Sequence, residues 1–271
     1  MDIKRVTSAL LGFPLVVLIL TFGNKYVVDI FMAIVAMLGM QEYFNAVSKE
    51  VKPVRWIGYL SCASIAVVHI LPDILPEHIF KSVLLISIPL INTILFAHVI
   101  ITNMKINFKD IAYTLFGIIY VIGNIIFITL LRGIEHGIIL VWYAIIAAWG
   151  TDIYAYIVGK RWGKHKFSQV SPKKSIEGCI AGIIGAVAIA IIYTISINAI
   201  FKLEYSYLAI ILITALLSIV GQLGDFAASS IKRYVNIKDY SNLKPGHGGM
   251  LVRIDSLMFL APYAYILLKI I

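Results

Sequence analysis

The chain is short of almost everything that builds a soluble, stapled or jointed protein. Charged residues make up only 14% of its 271 positions. Its 2 cysteines, Cys62 and Cys179, have neither metal-ligand spacing nor the density of a disulfide framework, so both are expected to pack within helices. No linker-like tract is long enough to part domains, and no internal repeat or low-complexity segment occurs. No Walker glycine-lysine motif is present, which excludes a P-loop nucleotide site. No small-x-small cleavage site follows the N-terminal apolar run, so that run reads as a first helix rather than a signal peptide.

What remains is 61% hydrophobic with a mean hydropathy of +0.94, more than the core of a soluble protein this size requires. The chain reads as one integral membrane domain, all-α, covering 1–271. Apolar runs long enough for a bilayer crossing put about nine transmembrane helices at 6–23, 26–47, 56–72, 79–100, 111–131, 138–158, 178–200, 207–231 and 256–271. Residues 1–131 read as scaffold and lipid-pocket helices, and 138–271 as catalytic helices with cytoplasmic loops. Pro14, Pro89 and Pro262 fall inside spans, where they kink helices.

The basic residues test that count, because short cytoplasmic loops collect Lys and Arg. With the N-terminus inside and the C-terminus outside, only Lys25, Lys81, Arg132, Lys202 and Lys269 of the 23 Lys and Arg fall on the outer side. The net charge of +9 is then a signature of topology and of attraction to anionic lipid, and no nucleic-acid partner is expected. Two inner segments stand apart, however. "GKRWGKHKFSQVSPKKSIEG" and "IKRYVNIKDYSNLKPGHGGMLVR" hold most of the inner cations, and each follows a helix that carries an acid.

An ionisable group within a span is costly and is a candidate functional group by default. Asp152 and Asp225 each sit about two turns before a basic helix exit, and Asp255 enters the last helix from the same side. Glu42 lies at similar depth and is open to a structural or a functional reading; Asp29 reads as interfacial. Asp225, Ser229 and Lys232 fall at i, i+4 and i+7, so carboxylate, hydroxyl and ammonium share one helix face, as do Asp152, Tyr156 and Gly159. Gly221 and Gly224 leave room for a helix or a ligand to approach the backbone closely.

Lys232, Arg233, Lys238, His247 and Arg253, with backbone amides freed by Gly246, Gly248 and Gly249, suit several phosphate oxygens. Ser171, Lys173, Lys174 and Ser175, with Glu177 at the membrane edge, form a second cradle. Carboxylates beside phosphates point to magnesium, since the donors are all oxygen. Two phosphate sites and a metal at a membrane surface suggest phosphoryl or nucleotidyl transfer to a lipid. The lone His69, His78, His98 and His136 are given no chemistry, and His165 stays outside the assigned phosphate set.

At this point the residues resemble a family. "SSIKRYVNIKDYSNLKPGHGGMLVRID" is similar to the C-terminal signature of the CDP-diacylglycerol synthases, or phosphatidate cytidylyltransferases. "DIYAYIVGKRWGKHKFSQVSPKKSIEG" resembles that family's D-x-x-A-Y-x-x-G and S-P-K-K-[ST]-x-E-G elements, in the same order and at the same separation. The resemblance implies transfer of a cytidylyl group from CTP to phosphatidate with magnesium, giving CDP-diacylglycerol and pyrophosphate. It implies a bacterial inner-membrane protein with its site facing the cytoplasm, and a homodimer. It matches Asp225 to a metal-associated aspartate and places Lys232, Arg233, Lys238, Asp239, His247, Arg253 and Asp255 at signature positions; a partner carboxylate, Asp255 or Asp152, is expected to share the metal with Asp225, and Asp255 is taken with it as the metal pair. Asp152, Ser171, Lys173, Lys174 and Glu177 match the earlier elements.

One departure stands out: Val252 occupies the position where the family has aspartate before the signature arginine. A natural variant with a shifted ligand, an engineered inactive form and a homologue without the activity all stay open. Lys244 and Ala228 are lesser departures. The competing functions are a CTP-dependent lipid-alcohol kinase, a cytidylyltransferase for ether-linked archaeal lipids and, from another class, a transporter.

Overall fold

The computed structural model describes residues 14–168, 171–172, 174–241 and 249–271. Helix α1 covers 14–22, and α2 spans Lys25–Val47 behind an Asn24 side chain that accepts from the Val27 amide at 2.9 Å. A short helix α3, Arg55–Ala63, runs through a 3₁₀ turn, Ser64–Val67, towards α4, Ile70–Ile74. Then follow α5, Glu77–Ile101, and α6, Phe108–Gly133, which carries a π turn at Ile118–Ile122. Helix α7, Gly137–Trp162, has its own π turn at Ile146–Gly150. The last three helices are α8, Ile176–Phe201; α9, Tyr207–Tyr234; and α10, Met250–Leu268.

The all-α membrane architecture expected from composition is what the chain adopts. Among the described residues, 7 helices are long and apolar enough to cross a membrane: α2 and α5 to α10. The expected span 56–72 is instead divided among α3, the 3₁₀ turn and α4. Pro72 explains the division, because it offers no N–H and its ring crowds the carbonyl four residues back, so α4 restarts with Pro72 in its first turn. The expected span 6–23 lies partly outside the described residues. The last helix starts at Met250, six positions before the expected Ser256, so Asp255 lies in its second turn rather than ahead of it.

The chain forms two compact units, Met1–Thr129 with Ile237–Leu251, and Leu130–Asn236 with Val252–Ile271. In the first, Tyr43, Phe44, Met40, Ile65, Leu95 and Ile111 are fully buried, and the Tyr43 hydroxyl donates to the Tyr113 carbonyl at 3.0 Å. Asp110 closes the capping box of α6 with Asn107 and also accepts from the Lys52 amide at 2.6 Å, strapping the preceding loop to the helix.

The second unit is built on small residues. Gly178, Gly182 and Ala186 fall four apart along α8, and they meet Ala155, Thr151 and Gly150 of α7 at backbone distance. Thr151 and Ser218 share a 2.5 Å hydrogen bond between α7 and α9, and Gln222 donates to the Cys179 carbonyl at 3.3 Å between α9 and α8. Gly224 of α9 lies against the Asp255 carbonyl and Phe259 of α10, so the closely approaching partner is a helix. Cys62 and Cys179 are both buried and unbridged.

Candidate active site

The second unit brings Asp152, Lys174, Asp225 and Asp255 together. Lys174 pairs with the Asp225 carboxylate, and each side chain keeps roughly a quarter of its surface open. Asp255 is 3% exposed. Its Oδ1 accepts from the Ser256 amide at 2.7 Å, whereas its Oδ2 is buried with no hydrogen-bond partner among the described residues. The charged groups acting on Asp255 are Asp225, Asp152 and Lys174, and those acting on the exposed Asp152 are Lys174 and Asp225. Three carboxylates and one ammonium therefore share a small region at the ends of three apolar helices.

Local structure accounts for each position. The π turn Ile146–Gly150 directly precedes Thr151 and Asp152; such a turn re-aims the residues after it and is frequent at functional sites. Lys174 comes from a loop folded back on itself. The Phe167 amide donates to the Lys174 carbonyl at 3.1 Å, the Ile176 amide to the His165 carbonyl at 2.9 Å, and the Lys174 amide to the Ser171 carbonyl at 3.0 Å. Glu177 braces this fold, accepting from the Lys164 and His165 amides at 3.2 Å and meeting the His165 ring at 2.6 Å. A carboxylate so engaged holds the loop that presents Lys174. Ser175 caps α8 through the Gly178 amide, which starts the helix at this loop.

Other expected residues are placed differently. Ser229 and Lys232 are buried, so the α9 face they share with Asp225 turns into the protein, and Arg233 is exposed. Tyr156 is exposed and lies beneath the Lys160 ammonium at 5.6 Å. Ser171 is half-buried, Arg253 is exposed and Val252 is half-buried. Lys238 and Asp239 belong to the first unit and are exposed there. Lys173, Gly246, His247 and Gly248 lie outside the described residues.

Two features were not foreseen. Glu42 is 5% exposed and accepts from the Met250 and Leu251 amides, both at 2.9 Å, so a carboxylate satisfies the first turn of α10 and meets its dipole. Gly249 is needed beside it, because a Cβ there would overlap the Glu42 carboxylate. The second is an aromatic pair: Phe167 stacks on Phe226 at 4.8 Å, with the Lys174 ammonium 4.7 Å from the Phe226 ring centre. An aromatic residue directly after Asp225 was the available sequence signal.

Comparison with known proteins places residues 3–271 in correspondence with a family described as the cytidylyltransferase family. A phosphatidate cytidylyltransferase of Staphylococcus haemolyticus (strain JCSC1435) is 31% identical over 265 residues, covering 97% of this chain and 98% of that one. One from Staphylococcus aureus (strain COL) is 32% identical over 270 residues, with 97% and 98% covered. One from Bacillus subtilis (strain 168) is 34% identical over 179 residues, 65% of each chain.

Proposed function

The chain belongs to the cytidylyltransferase family, and from that premise we propose that it transfers the cytidylyl group of CTP to phosphatidate, yielding CDP-diacylglycerol and pyrophosphate. The observation that carries this reading is the meeting of Asp152, Asp225 and Asp255 with Lys174 in one unit of an integral membrane protein. A bacterial inner-membrane location, with the site facing the cytoplasm, belongs to this reading by family resemblance, and the relatives named above are bacterial. A homodimer is part of the same reading, by family resemblance.

A phosphate oxygen of phosphatidate forms the new bond to the α-phosphorus of CTP. The bond from that phosphorus to the bridging oxygen breaks, and its electron pair leaves with pyrophosphate. A phosphate monoester is already largely ionised at neutral pH, so no covalent enzyme intermediate and no strong general base is required. Alignment and charge neutralisation carry the rate. Lys174, held in place by its folded loop and the Glu177 brace, supplies a fixed positive charge beside Asp225.

The donors suit magnesium. No trio of His, Cys, Asp or Glu among the described residues is arranged to hold a metal ion. Magnesium commonly takes only one or two carboxylates and completes its shell with water and substrate phosphates. Asp255, with its unpartnered buried oxygen, and Asp225, already facing a cation, are the residues that would hold it, with Asp152 adjacent. Bound there, the ion would neutralise triphosphate charge as the bond to pyrophosphate lengthens. Lys173, Lys238, Asp239, His247 and the glycines Gly246 and Gly248 are assigned to the reaction by family resemblance alone.

Purified protein in detergent, given phosphatidate and CTP labelled at either the α or the γ phosphorus, tests the reading. The α label should enter the lipid phase and the γ label should appear in pyrophosphate. A γ label in lipid would make the protein a CTP-dependent kinase instead, and no transfer of either label would overturn the proposal.

A further inference from the structure

Beside Lys174 and Asp225, a cleft of about 390 Å³ is lined by Phe167, Ser168, Leu223, Phe226, Ala227 and Ser230. Four of these lie at i, i+3, i+4 and i+7 along α9, forming one stripe on a membrane-spanning helix. Leu223 is 53% exposed and Phe167 is 49% exposed, so the cleft opens outward rather than into a sealed core. Its volume lies in the range of small-molecule pockets, and its walls are largely apolar.

We propose that this cleft receives the glycerol-proximal part of one acyl chain of the lipid substrate, and that Leu223, Phe226 and Ala227 set chain preference. The proposal rests on the cytidylyl-transfer reading. The argument is continuity: Lys174 lies over the ring of Phe226 and pairs with Asp225, so a lipid phosphate drawn to that ammonium brings its first methylenes to the stripe. The nucleobase is the poorer occupant. The Phe226 ring already carries Phe167 and Lys174, and Ser168 and Ser230 alone offer side-chain polar groups where a base edge needs several.

Sheltering one methylene from water contributes about fourfold in an equilibrium. In the wild type, kcat/KM for phosphatidates of increasing chain length should therefore climb over the first methylenes. In Ala227→Phe, which fills the cleft, that climb should flatten. Leu216→Phe, on the exposed part of the same helix, should retain it. A parallel measurement needs no variant: a phosphatidate with a photoactivatable group near the glycerol end of its acyl chain should label the peptide containing Leu223 to Ser230.

An unaltered chain-length profile in Ala227→Phe, or photolabel confined to other peptides, would overturn the assignment. Failure of the underlying reading looks different: no transfer of the α label to any phosphatidate, whatever its chain length, with photolabel still in the cleft.

Discussion

Asp255 sets the terms at the scale of single residues. A carboxylate oxygen sealed from water with no donor costs about 1–3 kcal/mol, more when it carries charge. Here Asp225 and Asp152 add like charge to the same region. A cation bound there would offset both costs. Val252 bears on it directly, standing three positions before Asp255 on α10 and so on nearly the same face. Restoring an oxygen donor by Val252→Asp should lower the magnesium concentration for half-maximal activity several-fold. A magnesium titration of both proteins reads this out, and an unchanged midpoint would mean that position 252 does not reach the ion. Asp152, Asp225 and Asp255 were legible in the sequence, because a charged residue in a 61% hydrophobic chain announces itself. The pairing of Asp225 with Lys174 was not, since it depends on how a loop folds back.

At the scale of elements, the start of α10 shows what local pattern cannot supply. Its first amides are satisfied by Glu42, 208 and 209 positions earlier in the chain. No periodicity in either segment encodes that contact, and the helix therefore begins a turn and a half before the hydrophobic run that suggested it. Glu42→Ala should lower stability by about 1–2 kcal/mol, the usual cost of losing a helix N-cap. Thermal unfolding in detergent measures this, and an unshifted midpoint would contradict the capping role. The π turn ahead of Asp152 was likewise invisible, because one extra residue in a turn leaves the composition of the run unchanged. The break between α3 and α4 was readable in principle, from Pro72. The α7–α8 seam was half-readable: Gly178 and Gly182 carry a small-xxx-small spacing, while their partners Ala155 and Thr151 had to be found in space.

At the scale of the whole molecule, class and function were more legible than placement. Hydropathy identified a helical membrane protein because the bilayer admits few alternatives, and the two long motifs identified the family because they span many fixed positions. The account's central claim is that Asp152, Lys174, Asp225 and Asp255 form the charge-handling centre of a lipid cytidylyltransferase. Phosphatidate-dependent release of pyrophosphate from CTP, followed with and without magnesium in the wild type and in Asp255→Asn, tests it most directly. The account predicts magnesium-dependent release by the wild type and a fall of about 10²-fold or more in Asp255→Asn, the scale of losing one electrostatic group from a transition state. Equal rates in the two proteins, or a wild type silent at every magnesium concentration, would contradict it.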